Sequence, residues 1–176
     1  SVDYFNNLNE KINFKEIYKT KNKNFFCELY ALYNGGINYL TYKMDDWYSV
    51  KFNDYNFLLD QMLIFDISAI SQKYSNKVSN IDYTEVIVDD GYDCLVHKNT
   101  RQLGKRMLTY WKTTRDIYPY STNIEIDRIY SDAILFGAYG CSVDDNFLVV
   151  LSDEENKYRI IDKLKEHKIE SLEWSF

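Results

Sequence analysis

Residues 126–151 read IDRIYSDAILFGAYGCSVDDNFLVVL, and this stretch decides the fold. Its first half has apolar residues at the spacing of one helical face, which predicts a helix that Asn123 caps and Gly137 stops. The inward positions of that helix are Ile126, Ile129, Tyr130 and Ala133. Its last five residues, FLVVL at 147–151, form a short apolar run that is typical of a buried strand. The stretch therefore predicts a helix that leads into a sheet.

The sequence that follows predicts another helix and another strand. Ser152 is placed to cap a helix that runs to about His167. The apolar side of this helix is expected to carry Tyr158, Ile161 and Leu164. Residues 169–176 then alternate, with Leu172, Trp174 and Phe176 on one face, as in a half-buried strand. Asp144 and Asp145 are interpreted as a polar turn closed by Asn146, or as the remnant of a metal or phosphate site.

The sequence before residue 126 mixes strands and helices. Residues 37–42 and 48–52 are expected to pair as a hairpin, and 62–68 is expected to be a buried strand. A helix is expected around 25–33, and 83–88 fits either a helix or a strand. Asn99 or Thr100 can start a helix that Pro119 limits. This order predicts an α+β fold, with helices covering one face of a mostly antiparallel sheet.

Composition excludes several classes of function. Lys and Arg number 21 against 27 Asp and Glu, a formal charge of −6, which argues against nucleic-acid and anionic-membrane partners. No apolar run is long enough to predict a membrane helix. Cys27, Cys94 and Cys141 form no CxxC pair, so we expect reduced thiols in a cytoplasmic protein. No nucleotide-loop, metalloprotease or nucleophile-elbow motif is present.

Two groups of titratable residues have a plain interpretation and a functional one. His97 and His167 are expected to be structural or solvated, because no ligand cluster surrounds either. A group of cations follows the start of the helix near Thr100. It is either a solvated face or a surface that steers a phosphorylated ligand. Its members are Arg101, Lys105, Arg106, Lys112 and Arg115.

Three blocks of the sequence resemble the GHMP small-molecule kinases, and most of all those that phosphorylate D-glycero-D-manno-heptose 7-phosphate. Residues 126–140 with 147–150 are similar to the family's "IDxIYxxAxxxGAxGGK" segment and its following "FLL" strand. Residues 27–39 are similar to "QDQYAAAYGGLNY", and 62–71 to "LLLFYTGISR". The blocks occur in the family's order, so the resemblance covers about residues 25–176.

The resemblance implies a fold, a division into domains and a set of site residues. The fold implied is the C-terminal half of a GHMP kinase, with a ferredoxin-like domain at 82–176 and the remainder of the kinase core at 1–81. Glu28 stands at the family's catalytic aspartate. The residues implied in substrate binding are Tyr30, Gly35, Gly36 and Asn38. The residues implied in cofactor binding are Gly137, Gly140 and Ser142, with no metal ligand.

Departures from the family pattern leave three hypotheses open. On this resemblance these 176 residues are expected to begin about halfway through the family pattern, after the phosphate-binding loop of its N-terminal half, and 140–146 replaces a longer glycine-rich loop. The first hypothesis is a sugar or sugar-phosphate module that binds no cofactor alone and uses ATP and Mg²⁺ when another polypeptide supplies the nucleotide lobe. The second is a non-catalytic protein that binds a sugar or a partner protein. The third is a fragment of a longer divergent sugar kinase. An exposed apolar surface, and hence a homo-oligomer or a partner protein, is expected where the nucleotide lobe would lie.

Overall fold

The computed structural model describes residues 37–43, 46–71, 84–117, 122–144 and 146–172. The helix expected around 25–33 lies outside these residues. So do four of the implied site residues, which are Glu28, Tyr30, Gly35 and Gly36. The chain divides into two compact units, Ser1–Tyr55 and Asn56–Phe176.

The described part of the first unit is a β-hairpin. Strands β1 (Ile37–Lys43) and β2 (Asp46–Phe52) pair antiparallel, with Asn38 opposite Lys51. This hairpin was predicted from its two runs of β-branched and aromatic residues. Tyr48 and Val50 are exposed on β2.

The second unit contains a three-stranded antiparallel sheet with helices before, between and after its strands. Its order along the chain is α1 (Asn56–Leu59), β3 (Met62–Asp66), α2 (Thr84–Val96), α3 (Thr100–Ile117), α4 (Ile124–Leu135), β4 (Gly140–Asp144), β5 (Phe147–Leu151) and α5 (Glu154–Lys165). In space the strand order is β3-β5-β4, so the last strand to appear in sequence lies in the middle. Residues 84–88, for which the sequence left helix and strand open, are helical.

An isolated antiparallel bridge between Phe65 and Ser171 places the chain at Ser171 beside β3, as a fourth segment of the sheet. The order is then that of a ferredoxin-like sheet, and the predicted α+β class with an antiparallel sheet is confirmed. The domain boundary expected between residues 81 and 82 stays a prediction, and it falls within the compact unit Asn56–Phe176. It separates β3 from β5, although Phe65 and Leu148 are partners in one register, and the compact unit begins at Asn56.

The core lies between one face of the sheet and the helices. The sheet contributes Leu63, Phe65, Cys141, Leu148 and Val150, and the helices contribute Trp111, Ile126, Ile129, Tyr130, Ala133, Ile160 and Leu164. Trp111 of α3 stacks on Tyr130 of α4 with ring centroids 5.6 Å apart. The four inward positions predicted for α4 are all buried. Burying a large apolar side chain contributes about 1.5–3 kcal/mol, so this cluster holds the layers together.

The start of α5 corrects two predictions. Its N-cap is Asp153, whose Oδ1 accepts from the Asn156 N–H at 2.8 Å. Ser152 is fully buried and its N–H donates to the Gln61 carbonyl at 2.9 Å. It therefore continues the end of β5 instead of capping the helix. The buried face of α5 carries Ile160 and Leu164, whereas Tyr158 is 72% exposed.

Candidate functional site

The end of the sheet at Asp66 brings together three segments that are far apart in sequence. Residues 67–71 follow β3, Asn146 lies in the turn between β4 and β5, and Asn123 precedes α4. The Ile67 N–H donates to the Asn146 carbonyl at 2.7 Å, and Ser71 Oγ donates to Asn146 Oδ1 at 2.7 Å. One asparagine therefore holds both ends of the 67–71 segment against the β4–β5 turn.

Asn123 holds the same segment from the helical side. Its Oδ1 accepts from the Glu125 and Ile126 N–H groups at 3.0 and 2.9 Å, which caps α4. Its Nδ2 donates to the Ile70 carbonyl at 2.8 Å. The cap was predicted from residue type, but the contact with Ile70 was not, because it joins residues 53 positions apart.

The charge at this end of the sheet is mainly negative. Asp66 is exposed, and the hydroxyl and backbone N–H of Ser68 lower the pKa of its carboxyl group. Glu125 and Asp127 lie in the first turn of α4, and Arg115 pairs with Asp127 at 3.1 Å. Carboxylate and amide oxygens suit the hydroxyl groups of a sugar, whereas phosphate would be repelled unless a cation intervened.

The three residues implied in cofactor binding fall around the connection between α4 and β4. Gly137 follows α4 with φ +109°, a region that non-glycine residues rarely adopt, and it contacts the Asn156 side chain. Gly140 starts β4 against Gly104 of α3. Ser142 lies in β4 opposite Val149 and is half-buried. Gly137 lies in the connection and the other two residues lie in β4, and the implied cofactor role of all three stays a prediction.

The contact between Gly104 and Gly140 accounts for both glycines by packing. A Cβ atom on Gly140 would overlap the backbone of Gly104 and lie 2.8 Å from its Cα. A Cβ on Gly104 would lie 2.5 Å from Tyr139 Cβ. Helix α3 can approach the start of β4 this closely only because neither residue has a side chain.

Tyr139 fixes the same connection to α5. Its N–H donates to the Leu151 carbonyl at 2.7 Å, and its Oη donates to Asp153 Oδ2 at 3.2 Å. Burial raises the pKa of Tyr139, and the negative charge of Asp153 raises it further. Tyr139 therefore stays a neutral donor at neutral pH.

The remaining predictions that fall on described residues concern Asn38, the histidines and metals. Asn38 lies half-buried in β1. His167 Nε2 is 2.7 Å from Asp132 Oδ2, which joins the C-terminal ends of α4 and α5, and His97 contacts the Asp93 carbonyl.

Within the described ranges, no three His, Cys, Asp or Glu side chains are grouped to hold a metal ion. No helix in that part of the chain is long and apolar enough to cross a bilayer.

Solved structures of small-molecule kinases have a similar fold. A protein assigned as a sugar kinase from Campylobacter jejuni superposes with a TM-score of 0.62 at 18% identity, over 96% of this chain and 56% of that one. The mevalonate kinase of Methanococcus jannaschii superposes with a TM-score of 0.53 at 19% identity, over 76% of this chain and 45% of that one. A protein assigned as a homoserine kinase from Listeria monocytogenes superposes with a TM-score of 0.53 at 12% identity, over 94% of this chain and 58% of that one.

These similarities define the class of fold. The neighbours are kinases of the GHMP family, and the mixed helices and antiparallel sheet match the C-terminal part of their fold. The chain spans about half the length of each of these three kinases. No protein-family model and no curated protein matches the sequence. At these identities the likeness shows the fold alone.

Proposed function

We propose that the chain is a sugar or sugar-phosphate module of a GHMP-type kinase, and that it transfers phosphate only when a nucleotide-binding lobe completes it. The observation that carries the proposal is the superposition of 96% of this chain on part of a protein assigned as a sugar kinase. The substrate that the sequence resemblance favours is a heptose phosphate. In this proposal ATP and Mg²⁺ bind after the lobe is supplied, by a longer form of the chain or by another polypeptide.

The polar end of the sheet supports a division of labour between this module and a second lobe. Its carboxylates can accept hydrogen bonds from sugar hydroxyls, but a group of carboxylates would repel a triphosphate. Phosphoryl transfer depends on positioning and on neutralising charge around the phosphates. The proposal therefore assigns the nucleotide to a separate lobe.

Glu28 is the residue proposed to act as the base toward the sugar hydroxyl, with Tyr30, Gly35, Gly36 and Asn38 around the substrate. In the test, ³¹P NMR follows D-glycero-D-manno-heptose 7-phosphate with ATP–Mg²⁺. The chain is used alone, and then with a separately purified nucleotide lobe of a related sugar kinase. We expect transfer only in the mixture, and at least a ~100-fold loss with Glu28→Gln, since a general base contributes about that much. No turnover by a mixture that demonstrably binds ATP would contradict the proposal.

Asn38 provides a test of substrate binding that does not need turnover. Asn38→Ala should weaken heptose phosphate binding about tenfold, as expected for the loss of a hydrogen bond to a ligand. Ser49→Ala is the matched control, because Ser49 lies opposite Leu40 on the same face of the hairpin. Equal affinities for the two variants in isothermal titration would remove Asn38 from the site.

A second candidate function is non-catalytic binding of a sugar or a partner protein. Two contacts favour this candidate. Gly140 is packed against the backbone of Gly104, and the two oxygens of Asn146 already accept hydrogen bonds from within the chain. This candidate expects Glu28→Ala to bind the heptose phosphate as tightly as the original chain does. Loss of both binding and transfer in that variant would exclude it.

A further inference from the structure

We draw no further inference here: the strongest candidate, the solvent-facing surface patch of α4 and α5 with the three most exposed large apolar side chains among the described residues (Ile124, Leu135 and Tyr158), carries none, because charged residues of both signs surround it and nothing in the structure shows what covers it.

Discussion

The two ends of β4 are held in place by different means. At its start, Gly140 contacts the backbone of Gly104 so closely that no side chain fits on either residue. At its other end, the turn to β5 is held by Asn146, which accepts hydrogen bonds from Ile67 and Ser71. The first end depends on shape and the second on polar chemistry. Substitutions that add volume should therefore act at the first end, and those that remove a donor or acceptor should act at the second.

The largest effect is expected at Gly140. Gly140→Ala places a Cβ atom within the backbone of Gly104, so α3 and β4 must separate, at a cost of about 3 kcal/mol or more. Gly91→Ala is the control, because a Cβ there would meet only Leu103 Cδ1 at 3.8 Å, and alanine favours the helix by about 0.5–1 kcal/mol. Urea unfolding of the two variants measures the contrast. Similar stabilities would mean that the close approach is not required.

Gly137 is expected to show the next largest effect. Gly137→Ala has to adopt φ near +109° and meets Asn156 Cγ at 2.5 Å, so about 1–3 kcal/mol of stability should be lost. Adding Asn156→Ala should restore the part of the loss that is due to contact with the side chain and leave the backbone part. A double-mutant cycle by chemical denaturation separates the two parts. Full restoration would show that the backbone conformation costs little.

At the polar end, Asn123 should be the most sensitive residue. Asn123→Ala loses both the cap of α4 and the bond to the Ile70 carbonyl, and should cost about 1–2 kcal/mol. Asn123→Asp keeps the acceptor for the cap and removes only the donor to Ile70. Its stability should fall between those of the original chain and the alanine variant. An aspartate variant as unstable as the alanine variant would assign the whole effect to the Ile70 contact.

The smallest effect is expected at Asp66. The Ser68 hydroxyl and N–H lower its folded-state pKa, so the stabilisation they provide is present above the ordinary aspartate pKa of 3.8 and is lost as pH falls through the lowered value. Ser68→Ala should move the pKa of Asp66 upward toward that ordinary value, because one donor to the carboxylate is removed. Carboxyl ¹³C NMR titration measures it. A pKa that does not rise would leave the backbone N–H as the sole cause.

Local signals in the sequence were sufficient for most elements of the second unit. Helix α4 was predicted with its cap and its buried face because Asn123 and the four apolar positions all act within a few turns. Strand β5 was predicted from FLVVL, since a buried central strand is apolar on both faces. The cap of α5 was assigned one residue early, because Ser152 and Asp153 are both good capping residues and only burial distinguishes them.

Long-range contacts explain what the sequence did not reveal. The compact unit starts at Asn56 because β3 pairs with the distant strand β5. No local pattern in the sequence indicates that these two strands are partners. The same applies to the candidate site, where Asn123 and Asn146 each bond to the 67–71 segment. Gly140 was singled out by resemblance, whereas the contact that explains it depends on Gly104, which carries no motif of its own.

The position of β5 in the middle of the sheet has a consequence for synthesis of the chain. β3 leaves the ribosome about eighty residues before the strand it pairs with, and β4 also has to wait for β5. Until then both strands present open edges, which favour association with other chains. Helices α2 to α4 leave the ribosome in that interval with local backbone hydrogen bonds, but the buried faces of α3 and α4 also lack the side chains of β5 until then. Nascent chains that stop before Phe147 should therefore depend on chaperones.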